Sequence, residues 1–151
     1  MQDLIKETVW CGAYKNIAFE VNEPTENYKW RYYIFIKLDW IQDKELANDL
    51  WLETEDITIV PERPRRSYPY MQNSFLSSLE FHGGITWYSK KYDIEGRKVI
   101  KIGCDYNHAF DERRIYSKSD VFDDVKATIN DFLDEVGYQL PEYLTPKKEA
   151  E

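Results

Sequence analysis

The stretch from Trp30 to Trp40 constrains the fold more than any other, because Trp30, Tyr32, Ile34, Ile36, Leu38 and Trp40 recur at every second position. Successive side chains of a strand point to opposite faces, so this spacing puts a row of large apolar groups on one side of an extended backbone. Such a row has to be buried, which calls for a sheet with a covering layer. The alternate positions, Arg31, Tyr33, Phe35, Lys37 and Asp39, mix aromatic and charged groups. A strand with one apolar and one mixed face belongs near the centre of its sheet.

A second sheet signal runs from Leu79 to Asp111. Leu79 and Phe81 alternate into Gly83-Gly84, and Ile85 to Tyr92 resumes with the Thr, Trp and Tyr that suit a pleated surface. Glu95-Gly96 supplies a reversal, so Ile85 to Tyr92 is expected to pair antiparallel with Arg97 to Asp105. His82 precedes the first of these strands and His108 follows the second, which places both histidines at the same end of the pair. Earlier in the chain, Thr8 to Val21 is aromatic and β-branched and predicts one or two strands meeting at a bend at Gly12.

Helical spacing is strongest from Asp120 to Val136, where Val121, Phe122, Val125, Ile129, Phe132, Leu133 and Val136 form one apolar stripe. Ser117 or Ser119 supplies a cap, acidic residues crowd the first turn, and Gly137 marks a stop. A shorter helix is expected from Gln42 to Leu52, and a brief strand from Asp56 to Val60. The segment after it carries Pro61, Pro64 and Pro69 among Arg63, Arg65 and Arg66, which reads as an extended loop. The expected architecture is a single α+β domain over residues 1–137. It consists of a largely antiparallel twisted sheet with a long C-terminal amphipathic helix packed on one face. Residues 138–151 form an extension that docks through Tyr138, Leu140, Tyr143 and Leu144.

The net charge of −8 and pI near 4.9 argue against direct binding to a nucleic-acid backbone, which calls for a basic face. Two cysteines cannot build a disulfide scaffold, the first ten residues lack the apolar core of a signal peptide, and no apolar run approaches a membrane span. These features point to a soluble protein of a reducing cytoplasm, without a membrane partner.

Asp105, His108 and Asp111 stand three residues apart in turn, and His82 approaches them from the other strand end. Imidazole and carboxylate suit a general base with its orienting group, and equally a zinc, manganese or iron site; a strand-end turn bonded to its own backbone uses the same residues. Gly83-Gly84 offers bare amides to an anion, or a bulge. The sequence leaves metal and cofactor open. No Gly-x-Ser-x-Gly elbow or P-loop occurs. Cys104 alternates with Ile100 and Ile102, which points it at the core rather than at a substrate.

The run His82-Gly83-Gly84-Ile85-Thr86, followed by Gly103-Cys104-Asp105-Tyr106-Asn107-His108-Ala109-Phe110-Asp111, resembles a set of small proteins encoded by phages and prophages. Those show His-Gly-Gly-Leu-Thr, then Gly-Phe-Asp-Cys-Ala-His-Ala-Gly-Asp, then an amphipathic helix. Their early Cys-Gly-aromatic element corresponds to Cys11, Gly12 and Tyr14. Tyr106 stands where the set has cysteine, and Phe110 where it has glycine. The resemblance implies a phage origin, a host bacterial cytoplasm and a role in countering host defences, with no settled activity.

Two functional expectations follow. In the first, the protein binds, and as a His/Asp-dependent hydrolase also cleaves, a small anionic nucleotide-like ligand. His108, Asp105 and His82 would be catalytic, and His82, Gly83, Gly84, Thr86 and Asp111 would hold the ligand. In the second, it is a non-catalytic acidic inhibitor of a host defence protein, acting through Asp123, Asp124, Asp131 and Asp134. A purely structural phage protein is the third class.

Overall fold

The computed structural model describes residues 8–25, 29–53, 79–82, 85, 87–106 and 115–140. Among these residues five antiparallel strands form one sheet in the order β1-β2-β3-β5-β4, with β1 at Val9–Tyr14, β2 at Ile17–Asn22, β3 at Arg31–Lys37, β4 at Trp87–Tyr92 and β5 at Lys98–Asp105. Among the described residues two helices, α1 (Lys44–Glu53) and α2 (Lys118–Glu135), accompany the sheet in an α+β fold. As the alternation predicts, β3 is central. Its row of Tyr32, Ile34 and Ile36 stands directly opposite Cys104, Ile102 and Ile100 of β5, and both rows are buried.

Helix α2 covers this face, seating Val121, Val125, Thr128, Ile129 and Phe132 on it. Burial of each large apolar side chain is worth roughly 1.5–3 kcal/mol relative to exposure, so this layer stabilises the sheet it covers. Ser117 is the cap: its hydroxyl accepts the Asp120 N–H at 3.1 Å, and the Asp120 carboxylate accepts the Ser117 N–H at 2.9 Å. One edge of α2 carries Lys118, Phe122, Lys126 and Asn130 at four-residue spacing. These meet Trp10, Phe19, Tyr14 and Lys15 of the β1–β2 hairpin, with Lys118 3.8 Å above the Trp10 ring.

The expected strand to Trp40 stops at Lys37 and tightens into a single 3₁₀ turn, Leu38–Trp40, that keeps Leu38 and Trp40 buried. Asp43 caps α1 through Oδ1, which accepts the Glu45 and Leu46 N–H groups. Beyond α2, Tyr138 bridges to Ile41, its hydroxyl accepts the Lys37 N–H at 3.0 Å, and the Gln139 N–H donates to the Trp40 carbonyl at 2.9 Å. Burial pushes the Tyr138 phenol up to about 12. Tyr143, Leu144, the segment Asp56–Val60 and the arginines at 63, 65 and 66 lie outside the described residues.

The bend expected at Gly12 is instead straight strand. Gly12 sits opposite Phe19, and a Cβ there would come within 2.8 Å of the Phe19 ring, so glycine serves close approach. The chain reverses at Lys15-Asn16, with φ of +50° and +68°. Positive φ at both central residues matches the twist of a two-residue hairpin, and asparagine adopts it more readily than most residues.

The β4–β5 turn falls where Glu95-Gly96 predicts it, with Gly96 at φ +78°. Asp93 organises it: Oδ1 accepts N–H groups of Glu95 at 2.8 Å and Arg97 at 2.9 Å. The Arg97 bond is the main reason the Asp93 carboxyl is held below its ordinary range. A depressed folded-state pKa contributes stability above the unfolded value, and that contribution is lost as pH falls through the folded value. Asp93→Asn keeps the acceptor without the titration. The protection of the Glu95 and Arg97 amides, measured against their intrinsic exchange rates, is therefore expected to fall on acidification in the parent protein and to lose that dependence in the variant.

The second face of the sheet is covered in part by its own side chains. Tyr33 lies over Gly103 with the Trp87 ring edge-on at 6.2 Å, and Lys101 stands 4.4 Å above Tyr33 while pairing with Glu20 at 3.6 Å.

Candidate functional site

The segment Leu79–His82 runs along the other edge of α2 and is held by backbone bonds. Asp131 accepts the Glu80 N–H at 2.9 Å, the Thr128 hydroxyl donates to the Glu80 carbonyl, and the Tyr32 hydroxyl accepts the His82 N–H at 3.0 Å. Tyr32 and Thr128 share a further hydrogen bond of 2.8 Å. Because the Thr128 proton is committed to Glu80, Tyr32 is the donor in that pair. The result is a directed relay from His82 N–H through two buried hydroxyls to the Glu80 carbonyl, with every member satisfied.

This relay sets the position of the His82 ring. The imidazole stacks on Tyr106 at 3.8 Å and 10°, and Tyr116 meets both rings edge-on, at 5.4 Å from His82 and 4.7 Å from Tyr106. Tyr106 in turn donates to Asp124 Oδ2 at 2.5 Å, and His82 Nδ1 lies 3.9 Å from the same oxygen. Burial first, and then the Asp124 carboxylate, drive the Tyr106 phenol well above its ordinary value, so it stays a proton donor. Burial likewise pushes the Cys104 thiol up. With Cys104 among the core side chains, this agrees with its expected packing role.

Outside the His82 ring opens a cleft of about 280 Å³ lined by His82, Tyr116, Asp120, Asp123 and Asp124. Its walls are an aromatic pair and three carboxylates from the first turns of α2. Asp120 is tied into the cap and Asp124 to Tyr106, whereas Asp123 is exposed and makes no hydrogen bond among the described residues. A space of this kind attracts cations and hydrogen-bond donors.

Of the residues singled out from the sequence, His82 lines this cleft, and so do Asp123 and Asp124 of the expected acidic helix face. Asp105 ends β5 in the row opposite Arg31, on the other face from Cys104, and does not line it. Gly83, Gly84, Thr86, His108 and Asp111 lie outside the described residues, and with them the expected meeting of the two histidines. Among the described residues no three His, Cys, Asp or Glu side chains converge so as to hold a metal ion. Sequence spacing put Tyr32 in the buried row of β3 but did not mark it, or Tyr106, Tyr116 and Thr128, as part of a site. The acids at 120, 123 and 124 were visible as the start of a helix, and 123 and 124 also as part of an acidic face for a partner, but not as one wall of a cleft shared with His82.

Comparison of the chain with protein-family models, with curated proteins and with solved structures finds no match. Among the described residues no helix is long and apolar enough to cross a membrane.

Proposed function

We propose that the protein works by binding, and that the cleft beside His82 receives a cationic side chain, arginine or lysine, of a protein partner. The observation that carries this reading is the cleft's lining: three carboxylates face an aromatic pair that includes a stacked histidine. Guanidinium and ammonium groups gain from both, through charge-assisted hydrogen bonds to carboxylates and through the faces of aromatic rings. The resemblance to phage-encoded proteins would make that partner a host defence protein. A nucleotide-like anion entering the same cleft would meet three negative groups.

Titration calorimetry with an arginine-rich peptide and, separately, with ATP tests this reading. The peptide is expected to bind, to weaken as salt is raised, and to lose about tenfold or more in affinity with Asp123→Lys, while ATP gives no heat. Asp123 is the position of choice because it is exposed and is not tied into the cap or to Tyr106. ATP binding that depends on His82, with no peptide binding, would replace this reading by that of a nucleotide-binding site.

A further inference from the structure

Among the described residues strand β1 is an edge of the sheet, and its own sequence carries no device that blunts an edge. Its sequence, VWCGAY, has no charge and no proline, and every residue except Tyr14 is exposed, with Val9 at 44% and Trp10 at 40%. The opposite edge, β4, is guarded by Lys90 and Lys91. An open run of main-chain donors and acceptors is a template for another strand.

The hairpin fixes which groups are open. In a two-residue loop the flanking pair, Tyr14 and Ile17, exchanges hydrogen bonds, and the pattern alternates from there through Gly12–Phe19 and Trp10–Val21. The bond from Glu23 N–H to the Thr8 carbonyl at 2.9 Å continues the same alternation. Val9, Cys11 and Ala13 therefore aim their N–H and C=O groups away from β2, at the open side.

We infer that β1 docks on β1 of a second copy of this chain, the two strands pairing antiparallel about Cys11 into one continuous sheet. This occupant is favoured because the edge is self-complementary. Antiparallel pairing about Cys11 sets Cys11 against its counterpart and Val9 against Ala13, each pair closing two main-chain hydrogen bonds with small uncharged side chains between the copies. No like charges meet along the strand. The net charge of −8 per chain opposes association at longer range, so salt strengthens it.

The test is sedimentation velocity of the full chain in reducing buffer, from micromolar to millimolar, at low and high salt. A monomer–dimer equilibrium is expected, with more dimer at high salt. Ala13→Pro removes one outward N–H while leaving the bonds to β2 intact, and is expected to give monomer with an unchanged far-ultraviolet spectrum. Cys11→Lys keeps the backbone and sets two ammonium groups against each other, weakening the dimer by about tenfold or more; it decides the matter should the proline variant fail to fold. Opposed residues of a hydrogen-bonded pair lie about 5.5 Å apart at Cα, within reach of a disulfide, so mild oxidation is expected to cross-link the dimer through Cys11. A monomer at every concentration, or a dimer that neither variant weakens, would overturn the inference. A dimer that oxidation leaves uncross-linked would overturn its register.

Discussion

Gly103→Ala is expected to destabilise the protein by about 3 kcal/mol or more, the upper range for forcing extra volume into a packed site. Gly103 sits in β5 opposite Tyr33, and an added Cβ there would come within 2.2 Å of the Tyr33 ring and 2.4 Å of the Tyr32 carbonyl oxygen. A side chain could swing aside, but the carbonyl belongs to the central ladder. Relief would mean parting β3 from β5 at the pairing that joins the two halves of the sheet. Urea denaturation measures the loss, and a change below about 1 kcal/mol would show that Tyr33 is not packed on Gly103 as described. Combining the change with Tyr33→Leu is expected to restore part of the loss and not all of it, since the backbone clash remains.

Thr128→Val is expected to cost about 2–4 kcal/mol, although the two side chains have nearly the same shape. The hydroxyl is the junction between the Tyr32 phenol and the Glu80 carbonyl, so its removal leaves two groups short of a partner, at roughly 1–3 kcal/mol each. Thr128→Ser keeps the junction and gives up one methyl group, worth about 1 kcal/mol. The ordering of the two variants therefore separates polar from packing loss. Faster amide exchange at Glu80 and His82 in the valine variant, with the rest of the sheet little changed, would show that α2 holds this segment through Thr128. Tyr32→Phe interrupts the same relay, so the double variant is expected to lose less than the sum of the two.

The architecture was legible because its main signals are long and periodic. The alternation at Trp30–Trp40 identified the central strand, and the stripe from Val121 to Val136 identified the helix that covers it. Local departures came from chemistry that pattern does not carry. The first hairpin turns on Lys15, which pattern does not mark as a turn residue, while the glycine that invited a bend at position 12 is reserved for the Phe19 ring. The site was legible at His82 and, as part of an acidic helix face, at Asp123 and Asp124. Its surroundings come from Tyr32, Tyr106, Tyr116 and Thr128, on separate elements, and no spacing along the chain signals that a phenol will stack under an imidazole. Asp105 illustrates the converse. It is one residue from Tyr106, yet the pleat turns it to the other face.

The sheet's middle pairing joins segments made far apart in time. While a ribosome is still producing the region between Lys37 and Lys98, β3 can find only β2, and its apolar row lacks both the Ile100–Cys104 strand and the helix that roofs it. Closing that gap spans roughly sixty residues, and contacts of such separation slow folding because the intervening chain must be ordered before it is rewarded. The nascent protein thus carries an unroofed, strand-forming surface for much of its synthesis. Its yield in a cell should respond to chaperone supply and to temperature more than its finished stability would suggest.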